Sequence, residues 1–203
     1  MAMIGLSKPY IATYSASGTT VTYTARSLLG KYTNLDISLD SADDNVFYAD
    51  NAPAENDGST FTGGTATITT DDLRPDAMKL ALGLTEETIT GTGITTTSPK
   101  WLVFDDDQAA PYFALGGIIK KKVDGEIKWV AFVLEKIQFR NPGMSLATQG
   151  ESIEWQTPEL EASIYRSDAA KHPWYRISNL LASEADAVTV LEGYLAIPSP
   201  PGP

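Results

Sequence analysis

The chain has 203 residues, 42% of them hydrophobic, with 15 Lys plus Arg against 26 Asp plus Glu and a net charge of -11. That length and composition allow a sizeable core, and the absence of Cys excludes a disulfide framework, a thiolate metal site and a cysteine nucleophile. Outside Lys120, Lys121 and Lys122 there is no cluster of cations of the kind that displaces counterions from a nucleic-acid backbone, so tight DNA binding is not expected.

The chain opens on MAMIGLSKPY, with no apolar signal core. Its longest apolar run, Trp129 to Leu134, is far short of the roughly 20 residues that cross a bilayer. A soluble protein without an export signal is expected. Of 22 Thr, 13 fall between Thr60 and Thr97, and with many Val, Ile and Tyr they favour pleated surfaces over helices. Strands are predicted at Tyr10 to Ser15 and Thr19 to Ala25, joined across Gly18, then at Lys31 to Leu39, Val46 to Tyr48 and Thr65 to Thr70. The stretch SADDNVFYADNAPAEND carries Asp43, Asp44, Asp50, Glu55 and Asp57 with no cation, and reads as a solvated acidic loop.

A helix is predicted around Pro75 to Leu82, with acids before and inside its first turn, Pro75 early and Gly83 to stop it. A second is predicted around Glu184 to Tyr194, capped by Ser183, with Val188, Leu191 and Leu195 on one side. Both look like helices laid against a sheet. Between them GGIIKKKVDGEIKWVAFVLEKIQF holds Asp124-Gly125, the dipeptide that a two-residue type I′ turn prefers. Pairing outward sets Val123 opposite Glu126, Lys121 opposite Lys128 and Ile119 opposite Val130. Ile127, Trp129, Ala131 and Val133 then share one face, and Val130, Phe132 and Leu134 the other. With both faces apolar, one meets the core and the other a helix or a second subunit. The opposed lysines hint that acidic groups from elsewhere meet the hairpin. In TQGESIEWQTPELEASIYR, Pro158 marks an edge strand or a bulge, followed by Leu160, Ala162 and Ile164 on one face.

Catalytic constellations are hard to assemble from these residues. The acids of Ser41 to Asp57 lack the calcium-loop ladder, and Asp105, Asp106 and Asp107 alternate in direction. His172 is the single histidine, GMSLA around Ser145 departs from the nucleophile motif, and GTGITT from Gly91 lacks a third glycine. A hydrolase could nominate Glu154 with Glu161 or Asp106, and a carbohydrate-binding β-sandwich could use Trp101, Trp155 or Trp174.

Four stretches in order, SADDNVFYADN, ITTDDLRPDAMKLALGLTEE, the Asp124-Gly125 hairpin and GESIEWQTPELEASIYR, resemble the major tail protein family of long-tailed phages and prophages of Gram-positive bacteria. The similarity runs from about Gly5 to Leu195. It implies a mainly β fold, an antiparallel β-sandwich or barrel with one or two flanking helices, over 1–196, with 197–203 a Pro-rich tail or linker remnant. Some family members continue there into an immunoglobulin-like domain. It implies subunits that form six-membered rings and stack into a tail tube in the virion, assembled in the host cytoplasm. The implied partners are the chain itself, tape measure, tail terminator and distal tail proteins, and DNA that passes without specific binding. No membrane, cofactor, metal or catalytic residue is implied. Subunit contacts are then expected at Asp43, Asp44, Asp50, Glu55 and Asp57, at Lys120, Lys121 and Lys122, and at Val130, Phe132 and Leu134.

Overall fold

The computed structural model of the protein describes residues 2–43, 45–49, 52–57, 60–88, 100–143, 148 and 157–196, with the backbone alone for 45–49 and 52–57. The described elements run in chain order β1 (Ala2–Ser17), β2 (Thr20–Leu28), β3 (Tyr32–Ser41), β4 (Asn45–Ala49), β5 (Ala52–Asp57), β6 (Phe61–Thr70), α1 (Pro75–Leu82), β7 (Thr85–Thr88), β8 (Lys100–Val103), β9 (Tyr112–Val123), β10 (Glu126–Phe139), β11 (Glu159–Tyr165), β12 (Tyr175–Ile177) and α2 (Glu184–Tyr194). The fold is mainly β and antiparallel. One eight-stranded sheet has the order β2-β1-β9-β10-β11-β6-β3, with β12 on β10, and two separate ribbons pair β4 with β5 and β7 with β8. The sheet curls until β3 lies near β1, but it does not close into a barrel.

Local chemistry fixes the centre of this sheet. Asp124 and Gly125 have φ of 50° and 89°, the left-handed geometry that suits this dipeptide. The register that follows pairs Val123 with Glu126, Lys121 with Lys128 and Ile119 with Val130, as the sequence predicts. The repulsion between the opposed lysines is relieved on Lys128, whose ammonium meets Glu126 at 2.7 Å.

Both faces of β9 and β10 are buried. The inner face packs Ile11, Phe113, Leu115, Leu134 and Ile137 against Ile68, Leu160 and Ile164, with Ala77 and Ala81 of α1. The outer face packs Ala12, Ala114, Ile118, Ala131 and Val133 beneath Ala187, Leu191 and Leu195. Thus α2 supplies the expected helical cover, and burying each of its two leucines is worth about 1.5–3 kcal/mol. A glycine pair makes this two-sided packing possible. A Cβ on Gly116 would come within 2.5 Å of Leu191 Cδ1, and one on Gly117 within 2.7 Å of the Phe132 ring.

Both helices have the bounds that the sequence predicts. Gly83, with φ 66°, ends α1 in a left-handed cap, and Ser183 Oγ accepts from the Asp186 amide at 3.1 Å to start α2. Other expectations are corrected. Pro158 does not mark an edge, because β11 begins at the next residue and lies between β10 and β6. Standing before the strand, Pro158 needs no ladder N–H, and its carbonyl accepts from the Thr70 amide at 3.2 Å. The stretch read as an acidic loop contains the β4–β5 ribbon. Strands β5, β7, β8 and β12 are additions to those predicted.

Candidate functional site

The polar side chains that the fold brings together lie on the outer face of the sheet. Register slips in β10 between Leu134 and Ile137, so that both of these stay in the inner core while Glu135 and Lys136 both reach polar groups outside it. Such a bulge re-aims side chains. Glu135 is 1% exposed. Its carboxylate accepts from Tyr194 Oη at 2.6 Å, from Arg176 Nε at 2.6 Å and from Tyr23 Oη in a short bond. Burial, then the carboxylate beside them, pushes both phenols well above their ordinary range, so they remain protonated donors. With three donors, Glu135 ties β2, β12 and α2 to β10.

Next to it, Lys136 Nζ donates to Asp168 Oδ2 at 2.7 Å and lies over the rings of Tyr14 and Tyr112, at 5.0 and 4.6 Å. Tyr14 Oη donates to the same carboxylate oxygen at 2.7 Å and accepts from the Asp168 amide at 2.8 Å. Hydrogen bonds from Lys136 and then Tyr14 hold the Asp168 carboxyl below its ordinary value. Burial opposes the charge on Lys136, but the bond to Asp168 and the neighbouring groups outweigh it and raise its pKa. Both partners are therefore charged at neutral pH and neither is poised to move a proton. The arrangement is that of two locks on the sheet, not of an acid and a base facing a cleft.

A shallow, largely apolar cavity of about 180 Å³ lies between β10, β12 and α2, lined in part by Ile177, Val190 and Tyr194. His172 donates through Nδ1 to the Ser167 carbonyl at 2.9 Å and stands in a turn with φ 47°. Trp174 stacks on Phe61 at 4.6 Å, whereas Trp101 is 56% exposed on β8. Glu161 is exposed and meets Arg140 at 3.4 Å, and Asp106 is exposed in a loop. Glu154, Trp155 and Ser145 lie outside the described residues. Among the described residues no group of three or more His, Asp or Glu is arranged to hold a metal.

The residues expected at subunit contacts separate into three kinds. Lys120 and Lys122 are exposed and Lys121 is half-buried, all on β9 near its turn. Asp43 is exposed; Asp44 and Asp50, and the side chains of Glu55 and Asp57, lie outside the described residues. Val130, Phe132 and Leu134 are 2%, 2% and 0% exposed. They sit inside the chain's own core, where Gly117 admits the Phe132 ring and Tyr175 lies beside it, so they offer no surface to a neighbour. Sequence reasoning passed over Glu135 and Lys136. The available signal was a charged pair inside a strand apolar on both faces, which demands buried partners.

No protein-family model matches the chain, and no curated protein matches it.

Proposed function

We propose that the chain is a structural subunit that assembles with copies of itself into stacked rings, the tube of a phage tail, through which DNA passes. The observation that carries this reading is the pair of free strand edges at the two ends of the curled sheet. Strands β2 and β3, of 9 and 10 residues, each pair on one side only among the described residues. Long open edges are hazards in a solitary protein and are managed by covering them. A ring covers them with neighbours, and a heterologous contact that closes on itself makes such a ring. The fold class, an antiparallel sheet with a covering helix, agrees with what the sequence resemblance implies. The reading assigns the chain no catalysis. The locks at Glu135 and Asp168 then serve rigidity, which a repeated subunit needs in order to present the same edges each time.

The test is electron microscopy of the purified chain across a range of concentrations. Hollow rings or tubes are expected. A particle that stays a compact monomer or dimer at every concentration would overturn the reading, and would favour a binding module or hydrolase.

A further inference from the structure

We propose that the two ends of β9 form a complementary pair, through which the lysine-rich tip of one copy docks on the acidic, aromatic loop of the next. This rests on the reading of the chain as a self-assembling subunit and names an axial contact within it. At the turn end, Lys120 and Lys122 are exposed, and none of the three β9 lysines enters an ion pair among the described residues. Residues 2–5 of β1 pair alongside them, and there Met3 and Ile4 are 69% and 49% exposed. Of the acids at the tip, Glu126 is taken by Lys128, which leaves Asp124. The tip is therefore cationic and partly apolar on a chain of net charge -11.

The opposite end of β9 has the converse surface. Trp101 and Phe104 are 56% and 51% exposed and lead into Asp105, Asp106 and Asp107, all exposed. The loop is anchored, since the Gln108 amide donates to the Leu82 carbonyl at 2.9 Å and to Asn141 Oδ1 at 2.7 Å. Lys79 and Lys100, on the neighbouring α1 and β8, are both taken by Glu86, at 2.6 and 3.3 Å. The three aspartates thus have no ion pair among the described residues.

Distance decides who satisfies whom. β9 has 12 residues, and at roughly 3.3 Å per residue its ends are about 36 Å apart. The screening length at physiological salt is about 8 Å. Tip and loop of one copy cannot satisfy each other, whereas those of two copies can. Opposite charge is matched by apolar surface on both sides, Met3 and Ile4 against Trp101 and Phe104. The contact is heterologous, so each added copy leaves one tip and one loop free and the polymer grows.

The test is sedimentation velocity on the full chain and on three variants: Lys120→Glu with Lys122→Glu, Asp105→Lys with Asp107→Lys, and all four together. Every changed side chain is exposed, so each variant should keep the wild-type melting temperature. Each two-site reversal is expected to raise the concentration needed for assembly by about tenfold or more, and the four-site chain to return to within about threefold of wild type. Unchanged assembly in either reversal, or no recovery in the four-site chain, would overturn the docking. So would rescue of the lysine reversal by Asp43→Lys, which moves the contact to the acidic segment that follows β3. Tubes indifferent to the reversals leave the tube reading standing without this contact. Open polymers that obey the swap support the contact and overturn the tube. A permanent monomer overturns both.

Discussion

A carboxylate removed from water is costly unless its lone pairs are met, and Glu135 is met three times, by Tyr23, Tyr194 and Arg176. These partners come from β2, α2 and β12, so one side chain joins three elements to β10. Removing it would strand two buried phenols and a guanidinium together. Glu135→Ala is expected to cost about 3–5 kcal/mol, the range for breaking a buried ionic group. Glu135→Gln keeps an acceptor oxygen and should cost clearly less. Denaturant titration reads both, and a loss below about 1 kcal/mol for the alanine variant would mean that the network holds nothing.

The seating of α2 depends on a residue outside it. Leu191 occupies the space that a Cβ at Gly116 would need, while Tyr10 and Arg26 hold Glu192 and Ser7 holds Glu184 along the same helix. Gly116→Val is expected to lift α2 and cost about 1–3 kcal/mol, as overpacking does. Hydrogen exchange should show faster amides in α2 with the β9–β10 ladder still protected; equal protection of α2 in variant and wild type would refute this account. Much of this level was legible in the sequence, because the signals are local: Asp124-Gly125 carries its own turn geometry, and Ser183 and Gly83 carry the caps. What is not local was not legible. The strand Ala52–Asp57 contains Pro53 and three polar residues in a row, and forms against propensity by pairing with Asn45–Ala49. Alternation showed that Val130, Phe132 and Leu134 share a face, but that the chain itself covers that face depends on where β3 and β12 end up. Lys120 to Lys122 were legible as exceptions to the charge pattern, and their exposure agrees with that. The aromatic and acidic loop that faces away from them was not, since nothing in the sequence says that it lies at the other end of β9.

For the molecule as a whole, charge sets the encounter with nucleic acid. A net charge of -11 per chain gives about -66 for six copies, 6 × -11, if rings have the number that the resemblance implies. A duplex carries one charge per roughly 1.7 Å of axis, and a wall within a screening length of about 8 Å repels it. The enclosed duplex then finds no deep well. Titration of subunit and assembled tube against duplex DNA at roughly 50 and 150 mM salt is expected to give only dissociation constants above about 1 μM at the higher salt. Tighter binding there, abolished by Lys120→Glu with Lys122→Glu, would make the lysine tip a nucleic-acid contact instead.

The strand order also sets a timetable for synthesis. Ala12 on β1 lies beside Ala114 on β9, so the first hairpin leaves the ribosome about a hundred residues before the strand that covers its edge. At about 5–20 residues per second this is a delay of roughly 5–20 s. Throughout it Ile11 and Val21, fully buried at the end, have no β9 to pack on. The finished sheet is completed only when the β9–β10 hairpin, the fastest-forming piece because its contacts are nearest in sequence, arrives and inserts beside the waiting N-terminal strand. A nascent chain halted before Tyr112 is therefore an aggregation-prone species and a client for chaperones, although every strand it holds is already correct.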